Sequence, residues 1–258
     1  GALYATGAEP IFVEIDENWH TDIADLRQKA ETNGAKFMML SHMRGHIADM
    51  DAIVEICETN GITLIEDCAH TMGAKWKGKR SGNFGKIGCF STQTYKHINS
   101  GEGGFLTTDD PEIAARAVIG SGSYMLYGSH GAIPDEEVFQ KIRLHSPNCS
   151  ARLDNMRAAI LRDQLGKLDD NVRRWNERYS VMRDGFSRLS GVYVPERAQY
   201  EEYVGSSFQF QARGIPKDKM MEFVVACGSR GVDVKWFGND EPLAFTSRFD
   251  SWQYLGNT

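Results

Sequence analysis

Three short apolar runs constrain this chain more than any other feature. Residues 35–40 (AKFMML), 62–67 (ITLIED) and 87–90 (IGCF) are each too short for a helix and are bounded by glycine or polar residues, so they read as buried strands. Between the first two, Asp49 to Asn60 has helical spacing, with Ile53, Val54, Ile56 and Cys57 toward the sheet. Strand, helix, strand at this rhythm predicts a right-handed βαβ unit within an α/β fold and a mainly parallel sheet. Ligands of such sheets sit beyond the carboxyl ends of the strands, so chemistry is expected from the residues that follow each run.

Those residues are suggestive. Asp67 closes the second run, and Lys96 stands just beyond the third, after Ser91, Thr92, Gln93, Thr94 and Tyr95. Hydroxyls and an amide suit phosphate oxygens, and Gly101, Gly103 and Gly104 let the backbone turn close to a ligand. A carboxylate and an amine so placed are what pyridoxal 5'-phosphate (PLP) requires: a lysine to form its Schiff base and an acid to keep its ring nitrogen protonated. Taken singly, an aspartate at a strand end is as readily a helix cap, and a lysine as readily a solvated surface charge.

The continuous stretch EDCAHTMGAKWKGKRSGNFGKIGCFSTQTYKHINSGEGGF carries more than spacing. It resembles the core of the DegT/DnrJ/EryC1/StrS family of PLP-dependent sugar aminotransferases. The likeness extends outward through PIFVEID, SHMRGHIADMDAIVEIC and ARLDNMRAAILRDQLGKLDDNVRRWNERY, and covers most of residues 7–185. It implies an aspartate-aminotransferase-like fold of type I, with a large domain (1–165) built on a mainly parallel, seven-stranded-type sheet and a smaller C-terminal α/β domain (166–258). It also implies a segment ahead of Gly1 that carries part of the phosphate site, and further elements after Thr258.

For the site, the resemblance implies Lys96 as the catalytic amine and Asp67 as the partner of the ring nitrogen. His70 would lie at the ring, and Ser91 with Gln93 at the phosphate. Ser150 falls where the family has an asparagine that reaches the phosphate of the partner subunit, with Asn148 two residues earlier. Lysine at 96, where the dehydratase branch has histidine, implies the transaminase branch. The implied reaction moves an amino group from L-glutamate to a keto sugar, nucleotide-linked in most of the family, toward a surface polysaccharide, lipopolysaccharide or natural product. A homodimer with shared active sites is implied as well. A free keto sugar such as a keto-octulosonate, a cyclitol, or a non-catalytic PLP-binding role are the alternatives. Tyr124, Tyr127, His130 and His145 are candidate substrate contacts, and Lys235 with Trp236 hint at an unusual substrate.

Composition narrows the classes further. A net charge of −6 without a long block of one sign gives nucleic acid no footprint. Five scattered cysteines without a CxxC pair read as reduced thiols, and no apolar run approaches a membrane span, so a cytoplasmic protein is expected. His42 and His46 are four apart, but Gly45 interrupts them and no acidic ligand lies between, so no metal site is expected. Helices are predicted over Thr21–Asn33, Pro111–Ile119, Arg152–Leu189 and Pro216–Ser229. An exposed hairpin is predicted at 74–82, an irregular loop over 120–148, and strands at 206–212 and 232–237.

Overall fold

The computed structural model describes residues 2–239, apart from 124, 126 and 130–132. In chain order its elements are α1 (Ala2–Thr6), α2 (Ile23–Asn33), β1 (Phe37–Ser41), α3 (Met50–Thr59), β2 (Thr63–Asp67), β3 (Lys75–Trp76), β4 (Lys79–Arg80), β5 (Ile87–Ser91) and β6 (Gly104–Thr107). There follow α4 (Pro111–Ser121), α5 (Glu136–Ile142), α6 (Asn155–Leu165), α7 (Leu168–Phe186), β7 (Val192–Tyr193), β8 (Glu201–Glu202), β9 (Gln211–Ala212) and α8 (Met220–Gly228). Aspartates start four of the helices: the carboxylates of Asp22, Asp49, Asp110 and Asp154 accept the orphan N–H groups of α2, α3, α4 and α6.

The principal sheet has the order β1-β2-β5-β6, with β1, β2 and β5 parallel and β6 returning antiparallel. Four strands are present among the described residues, against the seven-stranded type expected. Parallel pairing of β1 and β2 requires a crossover; α3 makes it, and Met50, Ile53, Ile56 and Cys57 bury against Leu40 and Leu64. Register sets Ser41 opposite Asp67 and Asp67 opposite Cys89, so the carboxyl ends of three strands lie side by side. The pleat then divides the acidic pair. Glu66 points with Leu64 into the buried face, and Asp67 emerges on the other.

The chain packs as two compact units, one of residues 13–184 and 195–209, the other of residues 1–12, 185–194 and 210–258. Residues 166–184, assigned to the smaller domain by sequence, pack within the larger unit because Leu168, Val172 and Trp175 join the cluster of Met72, Ile98 and Leu161. In the other unit β7 pairs with β9, and the Arg213 guanidinium covers the Tyr193 ring at 3.8 Å.

Local predictions fail where a breaker or a missing partner intervenes. The single helix expected over 152–189 is two, since Gly166 ends α6 and the Lys167 N–H bonds Gln164 O in a tighter turn. Its apolar stripe divides accordingly: Tyr179 is buried, while Met156, Ile160 and Leu165 stay exposed. The loop at 120–148 contains α5, whose Phe139 and Ile142 pack on Ala115 and Ile119 of α4. Of the strand expected at 206–212 only Gln211–Ala212 pairs, and residues 232–237 form none because no described strand lies beside them.

Gly45 illustrates the packing tolerance of the larger unit. Its φ is +84°, and a Cβ there would meet the Val204 carbonyl oxygen at 2.2 Å. Gly45→Ala is expected to cost about 3 kcal/mol from left-handed strain and backbone displacement, lowering Tm by roughly 10 °C. Gly61→Ala, at φ +65° with open space around it, serves as the control and should lose about 1 kcal/mol. Equal losses in thermal unfolding would contradict the steric argument.

Candidate active site

The β5–β6 connection builds the site. Thr92 N–H bonds Gly103 O, Thr94 N–H bonds Gly101 O, and Ser100 N–H returns to Thr92 O, so the loop doubles back on itself at the carboxyl end of β5. Within it Gln93 N–H bonds the Ser91 hydroxyl at 3.3 Å, Tyr95 N–H bonds Gln93 Oε1 at 3.0 Å, and Lys96 N–H bonds Gln93 O. Gln164 of α6 clamps the far side, accepting from Asn99 N–H at 2.9 Å and donating to Asn99 O at 2.6 Å. Lys96 is therefore carried on a doubly fastened turn.

Asp67 is held at the adjacent strand end. Its Oδ2 accepts from the Ser41 hydroxyl at 2.8 Å and its Oδ1 from Ala69 N–H at 3.0 Å, which fixes the carboxylate with lone pairs to spare. Lys96 lies within range of both Asp67 and Arg44. Burial lowers the pKa of its amine, the Asp67 charge opposes that shift, and the Arg44 charge adds to it. The result is an amine below the usual lysine range, more easily freed of its proton.

His70 belongs to the same group. Its Nδ1 accepts from Arg44 N–H at 3.3 Å, so the neutral ring carries its proton on Nε2. Burial, then the charges of Lys96 and Arg44, push its pKa down to about 4; the ring is neutral at physiological pH. His97 behaves likewise, pushed down to about 4 by burial, His70 and Lys96. Its Nε2 meets the Ser206 hydroxyl at 2.8 Å and its ring lies 5.4 Å from that of Trp175.

Lys96, Asp67 and His70 lie in one another's electrostatic range, with Ser91 at the end of β5 and Gln93 in the loop that carries Lys96. Ser91 retains its O–H and Gln93 its amide N–H groups for a ligand, since both spend only acceptors on the turn. Ser150 is exposed, with φ +52° and its N–H bonded to Asn148 Oδ1 at 2.9 Å. No described contact ties it to Lys96. Tyr127 is buried against Phe139, its hydroxyl on Glu136 at 3.1 Å, and His145 is exposed in a 3-10 turn. Neither touches the Lys96 group among the described residues, and Tyr124 and His130 lie outside them.

Sequence reasoning missed Arg44, Ser41, His97 and the role of Glu66. Arg44 follows β1 in the left-handed region at φ 58°, ψ 27°, a strained position of the kind found at functional sites; its place after a strand end was the available signal. Glu66, wholly buried, accepts from Gly82, Phe84 and Gly85 N–H at 2.7–2.8 Å and from His42 Nε2 at 3.1 Å. It pins the hairpin segment to the sheet beneath Asp67. The hairpin's basic charges are paired outward, Lys75 with Glu202, Lys77 with Asp51 and Arg80 with Asp169.

A family model described as the DegT/DnrJ/EryC1/StrS aminotransferase family matches residues 1–242. The chain is 33% identical over 203 residues to GDP-perosamine synthase of Escherichia coli O157:H7, covering 78% of this chain and 52% of that protein. It is 34% identical over 237 residues to dTDP-3-amino-3,4,6-trideoxy-alpha-D-glucose transaminase of Streptomyces venezuelae, covering 90% and 57%. It therefore spans about half the length of these curated relatives. Among solved structures, E coli GDP-4-keto-6-deoxy-D-mannose-3-dehydratase with bound hydrated PLP superposes with a TM-score of 0.78 at 25% identity, over 99% of this chain and 66% of that one.

Proposed function

The chain belongs to the DegT/DnrJ/EryC1/StrS aminotransferase family, and from that premise we propose that it is a PLP-dependent aminotransferase forming an amino sugar from a keto sugar. The observation that carries the reading is the Lys96 amine, lowered in pKa on a fastened loop, beside an anchored Asp67 at adjoining strand ends. The residues fit the cofactor: Lys96 would hold its aldehyde carbon, Asp67 its ring nitrogen, His70 its ring, and Ser91 with Gln93 its phosphate. Bound there, PLP supplies an electron sink for the carbanion left when a carbon beside nitrogen loses its proton.

What the chain itself contributes is proton handling and orientation. Lys96 Nζ takes the proton from the donor's α-carbon and, in the second half of the cycle, returns one to the acceptor carbon that becomes aminated. Asp67, held by Ser41 and Ala69, would keep a proton on the ring nitrogen through both halves. Neutral His70 would offer its Nε2–H to the cofactor without adding positive charge beside the amine.

L-glutamate as donor, a nucleotide-linked keto sugar as acceptor, a surface-glycan or lipopolysaccharide product, a homodimer with Ser150 facing the partner's phosphate, and a cytoplasmic location complete the proposal. The names of the two relatives, one a GDP-sugar and one a dTDP-sugar enzyme, support the acceptor class. No helix among the described residues is long and apolar enough to cross a membrane. The test is an absorbance spectrum of the full-length protein with PLP, before and after L-glutamate. A visible cofactor band that glutamate shifts to shorter wavelength is expected. A protein that takes up no PLP, or whose band ignores every amino donor offered, overturns the reading.

A further inference from the structure

Two clusters of metal-ligating side chains lie in the larger unit, and their hydrogen bonding sets them apart. In the first, His42, Glu66 and Cys68 converge, but both Glu66 oxygens are taken by three backbone N–H groups and His42. Nothing there is left for an ion. In the second, His20, His46 and Glu201 place one ligand atom each within 4.8 Å of the others. Here His20 Nε2, both ring nitrogens of His46 and Glu201 Oε2 are buried without any hydrogen-bond partner. One ligand atom from each of the three residues converges there, and buried polar atoms left unpartnered in this way are costly unless something fills the space between them.

We propose that His20, His46 and Glu201 form a binding site for a divalent transition-metal ion of the zinc class, which ties the turn after β1 to β8. Each ligand is fixed by its own backbone. Asp16 Oδ1 accepts from Asn18 and His20 N–H at 2.8 and 2.9 Å, setting a tight turn that presents His20. Asp16 Oδ2 lies 3.9 Å from His20 Nδ1, beyond hydrogen-bond distance, while His20 Nε2 lies 3.9 Å from Glu201 Oε2. His46 N–H bonds Met43 O.

Glu201 supplies one oxygen and keeps the other occupied: Oε1 accepts from Ile47 N–H at 2.9 Å and Arg197 Nη1 at 3.0 Å, leaving Oε2 toward the histidines. The Arg197 charge is further engaged by Gly45 O and by the rings of Tyr179 and Tyr203. Bonds of ~2.1 Å set tetrahedral ligands roughly 3.4 Å apart, a contraction that small side-chain rotations supply, with water as the remaining ligand. Two imidazoles and a carboxylate favour zinc, cobalt or nickel over the hard ions calcium and magnesium. His46 follows the turn that carries Arg44, so the ion would steady Arg44 beside His70 and Lys96.

The test uses full-length protein, stripped with a chelator and titrated with Zn²⁺ and Co²⁺, beside His46→Gln, His20→Gln and Lys96→Ala. One Zn²⁺ per chain is expected, with a Co²⁺ spectrum showing nitrogen and oxygen ligands and no thiolate charge-transfer band. Each histidine variant should weaken binding ~100-fold or more, going by the effect of the supporting shell alone at known metal sites. Lys96→Ala should bind as wild type, which separates this site from the cofactor site and from the aminotransferase reading. Absence of a stoichiometric ion, a thiolate band, or undiminished affinity in the folded histidine variants overturns the proposal. Should His46→Gln fail to fold, the more accessible His20→Gln decides alone.

Discussion

Lys96→Ala is expected to lose at least ~10⁴-fold in turnover, the upper range for removing a positioned proton-transfer group, because the same amine also holds the cofactor. Folding should be unaffected. Burial and the charges of Asp67 and Arg44 act on the ammonium, and no hydrogen bond to its Nζ is made among the described residues. Lys96→Arg separates charge from proton transfer: a guanidinium keeps the positive charge but cannot be deprotonated in a protein, and it should be as inactive as alanine. Added small primary amines should restore part of the alanine variant's rate and none of the arginine variant's. Single-turnover measurement of the amino-donor half-reaction reads all three. An alanine variant within tenfold of wild type would falsify the assignment of Lys96.

Glu66→Ala carries the largest expected effect on stability. It leaves Gly82, Phe84 and Gly85 N–H and His42 Nε2 without their acceptor in a wholly buried site. At about 1–3 kcal/mol for each unsatisfied group the loss is on the order of 5 kcal/mol, comparable with the whole stability of a small domain. Glu66→Gln keeps one acceptor oxygen for Phe84 and Gly85 but turns an N–H₂ toward Gly82, and should lose about half as much.

The same group predicts an acid dependence. Burial pushes the Glu66 carboxyl up, but His42 and the Gly85 and Gly82 N–H groups more than offset it, and its pKa lies below the ordinary 4.5. A carboxyl lowered on folding contributes its stability above 4.5 and loses it as pH falls through the folded value. Wild-type unfolding free energy should therefore fall with acid below about pH 4.5, and Glu66→Gln should show a flatter slope there. Parallel acid profiles for the two proteins in urea titrations would remove Glu66 from the account.

Much of the site was legible because it is built from local rules. Strand ends mark where ligands bind in an α/β sheet, and Asp67 closes β2 while Lys96 sits in the loop after β5. The crossover α3 was readable for the same reason, since helical periodicity acts over a few residues. The long helix misled because Gly166, a mild breaker by composition, sits where the chain can bend without exposing Leu168. Loop residues 136–142 misled because α5 is stable only against α4.

The sequence by itself determined the βαβ unit of the mainly parallel sheet, the loop bearing Lys96 and the acid at 67. Each is set by periodicity, glycine placement and hydroxyl content within one stretch. Only the tertiary structure decided that Glu66 serves the sheet, that Ser41 anchors Asp67, and that Arg44 and His97 flank the amine. It alone brought His20 and His46 to Glu201. Such meetings depend on register and packing between segments far apart in the chain, and burial then sets the charge state of each group. Neither leaves a trace in the neighbouring residues.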